Sequence, residues 1–225
     1  MIKVEKLAGE STREYASRFL CTNIISLELK PGQFLSETEL ANEIGVSRTP
    51  LREALIDLNR AHVIETFPQK GSRVALIDPD LVEESRFIRE VLDVSVVEIA
   101  CEIATPKDVM NLEANVKLQE FYLENYVSDK LFELDNEFHK MIYTIAHKER
   151  TYSMKAGMMI HYDRMRALSL ITVKDTKIVN DHRLIFEAIK NKDKEEAKRL
   201  IKKHLARYDI DKEEIKKAYP EYYKS

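Results

Sequence analysis

"LSETELANEIGVSRTPLREALIDL", residues 35–58, is the stretch whose reading decides the fold. Ser36 followed three residues later by Glu39 is a capping box that opens a short helix. Gly45 supplies the left-handed turn that closes it. Pro50 suits the first turn of a second helix, from Arg48 or Thr49 to about Arg60, with Ser47 or Thr49 as its cap. Working outward, residues 10–28 read as an earlier helix with Tyr15, Phe19, Ile24 and Leu27 near helical spacing, ended by "KPG" at 30–32. On the other side, "VIETF" (63–67) and "SRVALI" (72–77) flank "PQKG", which predicts a β-hairpin. His62 falls just past the second helix, where a left-handed residue is often needed.

Helix, turn, helix and hairpin in succession is a winged helix–turn–helix plan. A helix fits the major groove of B-DNA, and its first residues reach base edges. Arg48 stands where a guanidinium can fork onto guanine, and Arg52 lies one turn later on the same face. Thr49 offers a hydroxyl to a phosphate or base, and Lys70 at the hairpin tip beside Gly71 can reach the minor groove or backbone. The alternative is a packing corner with two solvated arginines. Bulk charge does not decide between them. The net charge is −3, and residues 1–77 carry ten Lys/Arg against ten Asp/Glu.

The totals bound the rest. A chain of 225 residues that is 44% hydrophobic can hold two cores. Five glycines, six prolines and 33% charged residues favour helix. Cys21 and Cys101 form no C-x-x-C pair, and no apolar run has the length of a membrane span, so a soluble, cytoplasmic protein is expected. "DPD" at 78–80 marks a boundary. Beyond it helices are predicted over 80–104, 106–125, 129–147, 149–172, 175–190 and 193–209, then a short helix and a frayed tail. The fold expected is mostly α: a DNA-binding head over 1–77 and an all-helical bundle over 78–225.

The bundle carries a second constellation. Asp135 and His139 are four residues apart, hence on one helical face, beside the apolar stripe Leu131, Leu134, Phe138, Met141, Ile142 and Ile145. His182 sits in the stripe of Ile178, Val179, Ile185, Phe186 and Ile189, and His204 among Leu200, Ile201, Leu205 and Tyr208. A turn at "NKD" (191–193), with Asp193 and Glu196 as a cap pair, folds these last two helices together. Both histidines then rise to roughly 14–17 Å from the turn and can face each other. Singly, each histidine reads as a hydrogen-bonded core residue. Together, four polar groups on apolar faces need something that satisfies them, such as a divalent transition metal. His161 competes for a ligand place, and both readings stay open on spacing alone.

Residues 31–74 resemble the GntR-family DNA-binding domain. The match runs through Pro31, Gly32, Leu35, Glu37, Leu40, Ala41, Gly45 to Pro50, Arg52 to Leu55, Leu58 and Gly71. It departs at His62, where that family has Gly. The resemblance implies a DNA-reading set of Ser47, Arg48, Thr49, Arg52, Lys70 and Gly71. Residues 80–208 resemble the FCD effector domain of the FadR-like branch, through "LDNEFHKMI", "NDHRLIFEAI" and "AKRLIKKHL". Carried over, Asp135, His139, His182 and His204 are metal ligands and His161 is left out. Zinc is the first candidate, with nickel or manganese as alternatives. "IREVLD" (88–93) resembles an Arg-x-x-Leu-Glu segment, which makes Arg89 a contact for a small carboxylate effector; the plainer reading is an ion pair with Glu90 or Asp93. Asp93 replaces the usual Glu, and "AHKER" (146–150) replaces a Gly-Asn step. The function implied is a homodimeric, non-enzymatic transcription regulator that binds a palindromic operator in double-stranded DNA. A metal sensor without organic effector and a metal-dependent hydrolase are the alternatives.

Overall fold

A computed structural model describes residues 1–125, 128–172 and 177–224. The chain forms two compact units. The first comprises Met1–Val82, Ile160–Ala167 and Tyr219–Ser225; the second comprises Glu83–Met159 and Leu168–Ala218.

In the first unit the elements are α1 (Thr12–Ile25), β1 (Phe34–Leu35), α2 (Glu37–Ile44), α3 (Arg48–Arg60), β2 (Ile64–Phe67) and β3 (Gly71–Val74). Ser11 and Glu14 form a capping box on α1, and the Ser36 hydroxyl accepts from the Glu39 amide at the start of α2. Gly45 ends α2 at φ +74°, its N–H donating to Ala41 and Asn42 carbonyls. Ser47 occupies the cap position of α3 but its side chain makes no capping bond. At the other end of α3, His62 adopts φ +57°, the left-handed residue expected there. The core gathers Phe19, Leu20 and Ile24 of α1, Leu40 and Ile44 of α2, Leu51, Leu55 and Leu58 of α3, with Val63, Ile64 and Val74.

The hairpin is present with register Ile64↔Val74 and Phe67↔Gly71. It is joined by β1, which the sequence reading did not anticipate: β3 is the central strand, antiparallel to both β1 and β2. The last residues are held in place. Ile77 N–H donates to the Tyr222 carbonyl at 2.7 Å, Lys224 N–H to the Ile77 carbonyl at 2.9 Å, and Tyr223 is buried.

The second unit is built from α4 (Pro79–Ile103), α5 (Pro106–Glu124), α6 (Ser128–Ile145), α7 (Glu149–Thr172), α8 (Lys177–Lys190), α9 (Lys194–Leu205) and α10 (Arg207–Ala218). α4 begins in the first unit, and α7 lends its middle, Ile160–Ala167, to that unit. Thr105 and Asp108 make a capping box before Pro106, and Asp193 caps α9 through the Glu196 amide. Lys192 at φ +57° makes the turn between α8 and α9. The helix expected over 193–209 is instead two, divided at Ala206. The first residues of the helix expected from 175, and the Tyr208 side chain, lie outside the described residues. The core runs through Val97 and Ala100 (α4), Leu112 and Val116 (α5), Phe138 and Ile142 (α6), Ile185 and Ile189 (α8), and Leu200 and Leu205 (α9). No helix among the described residues is long and apolar enough to cross a membrane.

Candidate DNA-reading surface and metal centre

Ser47, Arg48 and Thr49 are all exposed at the start of α3, and Arg52 one turn on is 63% exposed. The apolar side of α3 (Leu51, Ala54, Leu55, Leu58) is in the core. The helix therefore turns its first polar turn outward because its 3.6-residue apolar stripe fixes its rotation. Arg48 donates to Thr38 Oγ1 at 3.1 Å, and Arg52 Nε donates to Glu37 Oε2 at 2.7 Å. Both partners belong to α2, so both guanidiniums are engaged across the helix–turn–helix corner. Lys70 and Gly71 are exposed at the tip of the hairpin. Gln69 at φ +64° and Gly71 at φ +90° make that turn. Arg73, by contrast, is spent inside the wing, paired with Glu65 at 2.6 Å and packed 4.7 Å from the Phe67 ring centroid.

In the second unit the four polar residues converge. Asp135 and His139 of α6, His182 of α8 and His204 of α9 are all buried and bring one donor atom each within 4.8 Å of one another. His204 Nε2 lies 3.3 Å from His139 Nε2 and 3.4 Å from His182 Nε2. Asp135 Oδ1 lies 3.6 Å from His182 Nε2 and Asp135 Oδ2 lies 4.0 Å from His139 Nε2. The opposite ring nitrogens face acceptors. His182 Nδ1 is 2.7 Å from Gln119 Oε1, His139 Nδ1 is 3.5 Å from Asp93 Oδ2, and His204 Nδ1 is 3.8 Å from Asp181 Oδ2. Nδ1–H of His182 donates to Gln119, which turns the Nε2 lone pair of that ring into the cluster. Burial, then the charge of Arg89 and the other two histidines, pushes His139 well below the ordinary imidazole value. It is neutral, the form that ligates a metal.

The donor set fits an ion. Ligands at about 2.0–2.2 Å around a tetrahedral ion lie about 3.3–3.6 Å apart. The two Nε2–Nε2 separations above fall in that range, Asp135 approaches His182 at 3.6 Å and His139 at 4.0 Å through its two oxygens, and all six separations lie within 4.8 Å. Three imidazole nitrogens and a carboxylate gathered this closely are a donor set of the kind that holds a divalent transition metal.

A polar layer backs the cluster. Asp93 Oδ1 accepts from Lys155 Nζ and from the Tyr143 hydroxyl, each at 2.6 Å, and Asp93 Oδ2 accepts from Arg89 Nε at 3.1 Å. Arg89, Asp93 and Lys155 are each at most 6% exposed. Burial alone would raise the Asp93 carboxyl, but Lys155 and Arg89 outweigh it and hold the group below its ordinary range. The same competition, burial against His204 and Arg207, leaves Asp181 at about 2. Arg89 thus makes the Asp93 ion pair of the plainer sequence reading, within the layer that touches His139. Gln119, Lys155, Tyr143 and Asp181 were missed. Only Gln119 left a signal, since Asn115 and Gln119 interrupt the apolar face of Leu112 and Val116. His161 lies apart from the cluster, in the first unit, with Nε2 2.9 Å from the Ala61 carbonyl oxygen.

A winged helix–turn–helix head joined to an all-helical bundle defines a DNA-binding transcriptional regulator. Residues 15–74 match the model of bacterial regulatory proteins of the gntR family, and residues 84–207 match the FCD domain. The chain belongs to the GntR family of transcriptional regulators, in the branch that carries an FCD domain. It is 33% identical over 88% of its length, and 84% of the relative's, to an uncharacterised HTH-type transcriptional regulator in an unstable DNA locus of Streptomyces ambofaciens. It is 31% identical over 84% of its length, and 83% of the relative's, to the HTH-type transcriptional repressor RspR of Escherichia coli K12. The solved structure of E. coli McbR/YncC superposes with a TM-score of 0.79 at 21% identity, covering 93% of this chain and 99% of that one, which shows the shared fold. These are regulators, and the chain is not an enzyme.

Proposed function

We propose that this chain is a homodimeric regulator that reads a palindromic operator with Ser47, Arg48, Thr49, Arg52, Lys70 and Gly71. Its bundle, residues 78–225 with the head over 1–77, holds a divalent transition metal on Asp135, His139, His182 and His204. Zinc is the first candidate, with nickel or manganese behind it. The metal helps bind a small carboxylate effector near Arg89, and the effector changes operator affinity. For that, it must bind the DNA-competent and DNA-incompetent forms unequally. When bound, the metal supplies a Lewis-acidic centre for a carboxylate oxygen. The chain's own part is to orient the imidazoles through Gln119, Asp93 and Asp181. The observation that carries the reading is the convergence of Asp135, His139, His182 and His204, all buried, with His204 Nε2 at 3.3–3.4 Å from the other two Nε2 atoms.

Elemental analysis of protein purified without chelators, with a thermal-shift screen of small carboxylates on wild type and His182→Ala, tests the pocket. The expected result is about one metal per chain in wild type, its loss in His182→Ala, and a carboxylate whose stabilisation needs the metal. Metal-free wild type would refute the site. A shift with metal but with no carboxylate would favour a metal sensor, a reading that the burial of all four ligands also suits. The head is tested on an operator selected from random duplexes: Arg48→Ala and Arg52→Ala should each weaken binding by roughly 1–3 kcal/mol.

A further inference from the structure

Within the first unit, one turn of α7 touches both ends of the reading apparatus. Ile160 is buried in that unit's core with the residues of α1, α2 and α3. His161 Nε2–H donates to the carbonyl of Ala61, the residue that ends α3, at 2.9 Å. Arg164 Nη1 donates at 2.7 Å to the carbonyl of Ala75, the first residue beyond β3, and Arg164 Nη2 donates to His161 Nδ1 at 3.0 Å. The loop closes through the backbone, because Ala75 N–H donates to the Val63 carbonyl at 2.9 Å and Val63 N–H to the Leu58 carbonyl at 2.9 Å. The end of α3 is the negative pole of its dipole, where a donor is favourable.

The chemistry is costly for mere packing. Arg164 is wholly buried, makes no ion pair among the described residues, and leaves Nε without a hydrogen-bond partner. Burial pushes its pKa down to about 10. A methionine would fill similar space without desolvating a charge. What the guanidinium adds is a two-pronged fork that fixes His161 and Ala75 together.

We propose that the α7 turn Ile160–Ala167 is a working part of the DNA-reading unit, with His161 and Arg164 as positioning residues that set the C-terminal end of α3 and the root of the wing.

Hydrogen exchange read by mass spectrometry on the full chain tests the clamp without DNA or metal. In Arg164→Met, peptides covering 58–64 and 72–77 should exchange at least about tenfold faster, a change of about 1.4 kcal/mol, while α8 and α9 peptides stay within about twofold. His161→Gln keeps a donor near the place of Nε2 and should stay closer to wild type. If Arg164→Met yields no folded protein, Arg164→Lys keeps the charge, loses the fork and is read the same way. Unchanged exchange in both windows, or faster exchange across the whole chain, overturns the positioning role.

Discussion

Asp93→Asn removes one charge from a site where it cannot be replaced by water. The carboxylate is 2% exposed and accepts from Lys155, Tyr143 and Arg89, two of them buried cations. Asparagine has the same shape, so packing is conserved. The charge is lost, and an amide NH₂ is set against groups that donate. Taking the partner from a buried pair costs about 3–5 kcal/mol. With a urea m-value of about 2 kcal/mol/M, a 4 kcal/mol loss moves the midpoint down by about 2 M. Circular dichroism during urea titration reads this, because the second unit holds most of the helix. The carboxyl is held below its ordinary value in the fold. Its stabilisation is therefore present above the unfolded value of about 3.9 and lost as pH falls through the folded one. The gap between wild type and variant should be flat above about pH 5 and close below about pH 4. Adding Lys155→Met to Asp93→Asn should recover at least about 1 kcal/mol, since the orphaned ammonium goes with its partner. A loss under about 1 kcal/mol for Asp93→Asn, or strict additivity in the double variant, would refute the account of the layer behind His139.

Three further perturbations probe separate links. Glu37→Gln releases Arg52 and removes a negative charge from the reading surface; stability should change by under about 1 kcal/mol, while fluorescence anisotropy on a random duplex should show roughly threefold tighter binding. Weaker binding would mean that Glu37 serves to aim Arg52. Phe138→Ala empties a fully buried position stacked on His182 at 4.5 Å; a loss of about 3–5 kcal/mol is expected in urea unfolding, and a loss under about 2 kcal/mol would show that the bundle closes over the gap. At Gly45, φ is +74° and an added Cβ meets nothing within 4 Å. Gly45→Ala should thus cost about 1–2 kcal/mol from backbone strain alone, and a neutral result would show that the turn relaxes.

The parts that the sequence made legible are those governed by local rules. Ser36, Gly45 and His62 mark the ends of α2 and α3 because caps and left-handed residues are set by their immediate neighbours. The meeting of His182 and His204 followed from a short turn and a constant rise per residue, and their rings lie 4.6 Å apart. What stayed hidden depends on long-range partners. β1 is two residues that become a strand only by pairing with β3. The break at Ala206 carries no Gly or Pro; tertiary bonds, among them Arg207 to Asp181, override a continuous helical pattern. Lys155 and Asp93 are 62 residues apart, and no spacing rule links them. The same holds for Arg164 and Ala75, separated by 89.

The pairing of Ile77 with Tyr222 and Lys224 has a bearing on synthesis as well as on structure. The unit that holds α3 draws on three stretches of chain, the last of them Tyr219–Ser225. During translation the helix–turn–helix and hairpin leave the ribosome about 140 residues before the segment that completes their unit, a wait of roughly 7–28 s at about 5–20 residues per second. A nascent head lacking that segment has the backbone of Ile77 exposed and its pairing unmade. A chain cut anywhere between Ile77 and Tyr219 would carry Arg48, Thr49 and Arg52 and yet leave both backbone groups of Ile77 without these partners.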